Sequence, residues 1–238
     1  MLYIIGLGLN HWGISKQGLE IAKRAKKVYL ENYTVELPYS EKAIEELVGK
    51  KIHLADRDFV ESFEIVDEAR KADVALLVYG SPLTATTHIS LLEEAKKSRV
   101  KAKVIYAGSV LDAVGETGLQ LYKFGKIASM PKWQKSFAPE SFVETVKHNL
   151  SMKAHSLILI DIGLGFQEAL EQLEQASDSN GLNLKELVIC QRLGTERQKI
   201  FYTDISQARE LEVEAPFCFI IPSKLHFVES EFLEEFKK

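Results

Sequence analysis

Cysteine is scarce in this 238-residue chain, and the two present, Cys190 and Cys218, lie in apolar runs, "LVICQRLG" and "APFCFIIP". They make no CxxC pair and join no Cys/His cluster at zinc spacing. That excludes a disulfide scaffold and a zinc finger, and leaves two buried strand thiols of a reducing compartment. Long hydrophobic runs are missing too. No stretch approaches the roughly 18 apolar residues that a membrane span needs. The apolar opening "MLYIIGLGLN" lacks a basic region and a small-residue cleavage site, so it reads as a first strand and not as a signal peptide. The expected location is the cytoplasm. Positive charge is in no excess: 30 Lys and Arg stand against 34 Asp and Glu, for a net charge of −4. Neither a nucleic-acid nor a membrane surface is advertised. Short basic clusters such as Lys23-Arg24, Lys26-Lys27 and Lys96-Lys97 read as solvated helix faces. No internal repeat and no low-complexity segment is present.

What is present is an ordinary globular composition, 46% hydrophobic and 27% charged, at a length comfortable for two domains. Apolar strand-like runs recur at Leu2–Leu7, Lys27–Leu30, Val74–Val78, Val104–Ala107, Ser156–Asp161, Leu187–Arg192 and Phe217–Pro222. Helical periodicity lies between several of them, over Ile14–Ala25, Tyr39–Val48, Ile89–Lys97, Phe142–Leu150 and Phe166–Ala176. Strands alternating with helices predict an α/β protein with largely parallel sheets. A glycine-rich stretch, "SVLDAVGETGLQLYKFGK", and a proline-bearing loop, "ASMPKWQKSFAPESF", put a seam near residues 108–113. The expected domains are 1–109 and 110–238, the second with a mixed sheet.

The glycine-rich turns exclude some chemistries. Gly6-Leu7-Gly8 follows a strand, yet His11 stands where a dinucleotide fingerprint needs its third small residue, and no acidic partner is convincingly placed, Glu31 being the nearest candidate. No P-loop is present. A nicotinamide oxidoreductase is thereby disfavoured. The first turn serves either close backbone packing or close approach of a ligand. The loop "YGSPLTATTH", residues 79–88, is longer than a plain strand-to-helix link requires. Small residues at Gly6–Leu9, Gly80–Thr87 and Gly108–Val110 would share the carboxyl edge of a parallel sheet, where open α/β folds bind ligands. Their amides and hydroxyls carry no charge, which suits a neutral or zwitterionic small molecule. His88 is a candidate base, but at a helix start it is expected to cap or hydrogen-bond. Metal ligands are absent, and no catalytic dyad stands out.

Five runs carry a resemblance: "IIGLGL", "GSPLTATTH", "GSVLDAVGETGLQLYKFGK", "HSLILIDI" and "IIPSKLHFVE". In order, over nearly the whole chain, they resemble the diphthine synthases, S-adenosylmethionine-dependent methyltransferases of the tetrapyrrole-methylase-like class. "TGLQLYKFG" and "PSKLHFVE" carry most of the specificity. The resemblance implies two α/β domains with a cofactor cleft between them, and a homodimer. It implies S-adenosyl-L-methionine as cofactor, with S-adenosyl-L-homocysteine as product. The implied substrate is the modified histidine of translation elongation factor 2, methylated on its amino group during diphthamide biosynthesis. The implied cofactor positions are Leu9, Ser81, Thr84, Ser109, Val110, Ile160, Leu193 and Phe217.

Against the pattern of that family, Ser81 stands for an Asp, Gln191 for an Ala, Phe217 for a His, and "HWGIS" for an Asp-Glu after the first turn. Methyl transfer from a sulfonium needs positioning and exclusion of water more than a covalent nucleophile, and a site of backbone groups and hydroxyls is compatible with it. Two rivals carry weight: a diverged non-catalytic paralogue that docks on the elongation factor, and a same-fold methyltransferase acting on a small macrocycle. Trp133, beside Lys132 and Lys135, is either a docking anchor or a ring folded back on its own domain.

Overall fold

A computed structural model describes residues 1–238, which divide into two compact units, Met1–Val110 and Leu111–Lys238. The first unit runs β1 (Leu2–Gly6), α1 (Lys16–Arg24), β2 (Lys27–Glu31), α2 (Glu41–Val48), β3 (His53–Ala55), α3 (Arg57–Glu61), α4 (Glu64–Ala69), β4 (Val74–Val78), α5 (Ile89–Lys97) and β5 (Ala102–Ile105). Its five strands form one parallel sheet in the order β3-β2-β4-β1-β5. A parallel sheet covered on both faces needs strands apolar at every position. The strand "VALLV" of β4 meets that demand, being buried at all five residues. Alternate residues feed two cores. Leu2, Ile4, Leu76 and Val78 join one; Ile5, Leu7, Ala75 and Leu77 join the other. Helix starts are set locally: Ser15 and Ser40 accept from the backbone N–H of Gly18 and Ala43 at α1 and α2.

The second unit continues through α6 (Val110–Ala113), whose first residue closes the first unit. Then come β6 (Ala128–Met130), α7 (Ser141–Ser151), β7 (Ser156–Ile160), α8 (Phe166–Ser179), β8 (Glu186–Gln191), β9 (Lys199–Asp204), α9 (Ile205–Ala208), β10 (Phe217–Ile221) and α10 (Phe227–Leu233). Its sheet is mixed, in the order β6-β7-β10-β8-β9, with only β6 and β7 parallel. Phe142, Val146, Leu170 and Leu173, from α7 and α8, pack with Ile158, Ile189 and Phe219 of the sheet. Cys190 and Cys218 are register partners on β8 and β10, both buried and both reduced. The Cys190 thiol is pushed up by its contact with Cys218 and by burial.

The sequence reading missed β3 and β6, and put Ala128–Met130 in a long loop. Both are edge strands of three residues, too short to display a period of two. Helices α3, α4, α6, α9 and α10 also escaped it. Trp133 is no docking anchor. Its ring packs on the core of the second unit, its Nε1–H donates to the Pro139 carbonyl at 3.1 Å, and its backbone N–H donates to Gln172 at 3.0 Å.

Candidate functional site

In the first unit β4, β1 and β5 are neighbours and parallel, so their carboxyl ends deliver three loops to one edge. Two of the loops are tied to each other. Gly8 N–H donates to the Gly80 carbonyl at 3.1 Å, and Gly80 N–H returns to the Gly8 carbonyl at 3.0 Å. Gly8 has φ +70°, and a Cβ there would meet Gly13 at 2.9 Å. The early glycines therefore serve loop-on-loop packing. Gly80 and Gly108 differ: a Cβ on Gly80 would find only Ser109 Cα and Gly108 O, at 3.9 and 4.0 Å, and one on Gly108 would find nothing within 4 Å. Leu9, Ser81, Thr84, Ser109 and Val110 are thus gathered around backbone that is open to a ligand.

The loop of residues 80–88 is pinned from inside. Thr86 Oγ1 donates to the Pro82 carbonyl at 2.6 Å, and His88 Nδ1 contacts the same carbonyl at 3.2 Å. A carbonyl only accepts, so His88 carries its proton on Nδ1, and its Nε2 accepts from the Tyr33 hydroxyl at 3.4 Å. His88 is 1% exposed, and burial pulls its pKa below the ordinary value, against the opposing pull of Glu31. This neutral, doubly bonded ring is a brace; it makes no side-chain cap to α5 and presents no free base.

In the second unit antiparallel pairing does the gathering. Phe217 opens β10 opposite Gln191 at the end of β8, and Cys218 faces Leu159 near the end of β7. Ile160, Leu193 and Phe217 therefore share one sheet edge. Phe217 stacks edge-on with Phe166, with centroids 5.6 Å apart, and stays half-buried. The next loop, Asp161–Gly165, carries Gly163 at φ +74° and Gly165, and a Cβ at either would meet nothing within 4 Å. Gln191 is 1% exposed and satisfied at both ends: its Oε1 accepts from Glu214 N–H at 2.8 Å, and its Nε2 donates to the Arg197 carbonyl at 3.2 Å. Arg192, at φ +47°, is held by the Ala215 carbonyl at 2.7 Å and by Glu214 at 2.9 Å.

Sequence reasoning missed a buried polar cluster in the same unit. Glu229 is 0% exposed. Its carboxylate accepts from the backbone N–H of His226 at 2.7 Å and of Gln120 at 3.0 Å, from His155 Nε2 at 3.2 Å, and from the Lys123 ammonium. His155 is equally buried, and its Nδ1 accepts from Ser223 N–H at 2.9 Å, which places its proton on Nε2, toward Glu229. Burial holds the imidazole pKa down. Although burial opposes it, the set of donors lowers the Glu229 carboxyl to about 2. The signal was present in kind: Gln120 and Lys123 lie in "TGLQLYKFG", His155 opens "HSLILIDI", and Ser223, His226 and Glu229 lie in "PSKLHFVE". Gly118 and Gly125 of the first run are required there, since a Cβ would strike the side chains of Phe232 and Asn149.

No group of three or more His, Cys, Asp or Glu is placed to hold a metal ion. The edge of the first unit offers amides, carbonyls and hydroxyls beside open glycine backbone, a donor set that fits S-adenosylmethionine. The sequence pattern of the Tetrapyrrole (Corrin/Porphyrin) Methylases matches residues 1–209. A diphthine synthase of Methanocaldococcus jannaschii is 36% identical, over 98% of this chain and 98% of that one. A diphthine methyl ester synthase of Schizosaccharomyces pombe is 33% identical, over 99% of this chain and 94% of that one. A solved structure of diphthine synthase superposes with a TM-score of 0.90 at 31% identity, covering 99% of this chain and 95% of that one.

Proposed function

We propose, for a chain that belongs to the tetrapyrrole (corrin/porphyrin) methylase family and within it to the diphthine synthases, that it transfers methyl groups from S-adenosyl-L-methionine to the amino group of the modified histidine of translation elongation factor 2. The chain is a methyltransferase by that membership. The observation that carries the finer reading is likeness along the full length of both chains, at 36% identity to the archaeal relative. The bound cofactor would supply an electrophilic methyl group. The residues proposed to hold it are Leu9, Ser81, Thr84, Ser109 and Val110 from the first unit, and Ile160, Leu193 and Phe217 from the second. Their task is to orient and to exclude water. A homodimer in the cytoplasm, acting without nucleic acid or membrane, completes the reading. The acidic net charge supports the absence of a nucleic-acid partner, and no helix is long and apolar enough to cross a membrane.

Ser81, Gln191 and Phe217 depart from the family pattern without an evident defect. Ser81 lies in a braced loop, Gln191 is fully hydrogen-bonded, and Phe217 stacks on Phe166. The non-catalytic paralogue therefore draws no support from a structural defect at these positions. A second reading has one specific observation behind it: the fission-yeast relative is named for a methyl ester, so a carboxylate oxygen of the same acceptor could also be methylated. Calorimetric titration with S-adenosylhomocysteine should give saturable one-site binding near micromolar affinity, about −8 kcal/mol. Mass spectrometry of elongation factor 2 after incubation with cofactor should show added methyl groups; mild alkali would remove an ester methyl and leave those on nitrogen. Cofactor binding with no methyl on the factor would overturn the acceptor assignment.

A further inference from the structure

Four aromatic rings form a connected strip: His11 and Trp12 lie in the loop after β1, Tyr79 leads into Gly80 after β4, and Tyr39 comes from the segment between β2 and α2. Trp12 and His11 have centroids 4.7 Å apart, His11 and Tyr39 5.9 Å, and Tyr39 and Tyr79 6.3 Å. The strip touches the proposed cofactor loops at both ends. Tyr79 precedes Gly80-Ser81, and its hydroxyl donates to the Leu9 carbonyl at 3.3 Å. Tyr39 packs on the core of the first unit, but core packing does not account for Trp12. Trp12 is 71% exposed, and its backbone N–H is fixed in the turn by Asn10 Oδ1 at 2.9 Å. The Tyr39 hydroxyl is buried with no hydrogen-bond partner, an uncompensated desolvation. A solvent-facing indole in contact with the His11 ring is a surface that attracts an alkylammonium cation through the negative face of the ring.

From this we infer that the Trp12–His11–Tyr39–Tyr79 strip binds the methylated ammonium of the acceptor, a role that rests on the amine-methylating reading above. The chemistry requires a cation there. The nitrogen lone pair forms the new C–N bond as the C–S bond breaks and its electron pair stays on sulfur. The positive charge thus passes from sulfur to nitrogen. A mono- or dimethylated product loses a proton to solvent before accepting another methyl group; a trimethylated one keeps its charge. A ring surface favours the charged, methyl-rich group over the neutral amine, so it holds the acceptor more firmly as methylation proceeds.

Trp12 is exposed, so its variants should fold as the parent does. The probe is tetramethylammonium chloride, with tert-butanol as the neutral isostere, read by saturation-transfer NMR on the cofactor-free protein. Transfer to the tetramethylammonium methyls is expected, weaker transfer to tert-butanol, loss in Trp12→Leu and retention in Trp12→Phe. On elongation factor 2, Trp12→Leu should shift the products toward fewer methyl groups by roughly two- to fivefold, the size of an exposed cation–π contact, and Trp12→Phe should restore the parent pattern. Equal transfer to both probes, or Leu behaving as Phe does, overturns the inference. If the parent protein adds no methyl group to the factor, the functional reading fails instead, while the probe titration still judges the strip.

Discussion

Glu31 in the first unit and Glu229 in the second are both removed from water, at 2% and 0% exposure, each within electrostatic reach of a buried histidine, His88 and His155. They are satisfied in different ways. Glu31 takes its hydrogen bonds from Tyr33 N–H at 2.8 Å, Thr34 N–H at 2.6 Å and the Thr34 hydroxyl at 2.7 Å, all within three residues. Glu229 draws on Gln120, Lys123 and His155, which lie 109, 106 and 74 positions away. A carboxylate fed by its own turn shapes that turn. A carboxylate fed from across the chain decides whether three segments stay together, and it needs them all in place before its charge can be buried.

The largest expected effect tests this contrast directly. Glu229→Ala strands Lys123 and His155 and should cost about 3–5 kcal/mol of unfolding free energy, as breaking one side of a buried charge cluster does. Glu31→Ala releases only local donors that water or a rearranged turn can satisfy, and should cost about 1–3 kcal/mol. Urea unfolding of the two variants is the measurement. Equal costs would end the distinction between turn-shaping and segment-joining carboxylates.

Acid sharpens the comparison through the same groups. The Glu229 carboxyl is lowered from 4.5 to about 2, so its contribution is complete above pH 4.5 and is lost as the pH falls toward 2, by on the order of 3 kcal/mol. The imidazoles of His155 and His88 are held below 6.5. The fold prefers them neutral, and stability drops as the pH falls below 6.5, where the unfolded chain takes up the protons first. Stability measured against pH should therefore decline in two steps. Glu229→Gln should remove the lower step and leave part of the upper one; a lower step of full size in that variant would place it on other carboxyls.

How much of this was legible follows from the same difference in range. The parallel sheet of the first unit announced itself, because strands buried on both faces are written as unbroken apolar runs such as "VALLV". The glycine-rich edge of that unit was equally readable, since close approach and tight turns demand glycine and leave Gly6, Gly8, Gly80 and Gly108 as marks in the sequence. The edge of the second unit carries two open glycines, Gly163 and Gly165 after β7, but its proposed cofactor residues left no such marks. Ile160, Leu193 and Phe217 look like any core residues, and only the antiparallel register brings them to one end. Glu229 was invisible for the same reason: a lone Glu at a helix start looks solvated until its distant donors are known. Within the readable edge, the glycines are not alike. Gly8→Ala puts a side chain at φ +70° against Gly13 and should cost about 1–2 kcal/mol from the left-handed backbone alone. Gly108→Ala meets nothing and should change stability by no more than about 0.5 kcal/mol. If the proposed cofactor lies against this backbone, Gly108→Leu should weaken S-adenosylhomocysteine binding about tenfold, or 1.4 kcal/mol, with the melting temperature unmoved. Unchanged affinity would separate Gly108 from the site.

The smallest effect lies at Gln191, and it asks whether the second edge is braced by side chains as the first is by backbone. Gln191 joins the turn at Arg197 to the segment at Glu214, and Glu214 itself pairs with Arg192 at 2.9 Å and Arg197 at 2.5 Å. Gln191→Ala restores the residue usual at this position in the family that the sequence resembles, but leaves the Glu214 N–H and the Arg197 carbonyl to find water. Both groups are near enough to the surface to do so. The expected cost is about 1 kcal/mol, seen as a small drop in the urea midpoint, with S-adenosylhomocysteine affinity within about twofold of the parent, under half a kcal/mol. A larger loss of affinity than of stability would mean that the brace sets the position of Leu193 and Phe217. The second edge would then be a pre-formed site that depends on its side-chain network, and not one carried by the strand register alone.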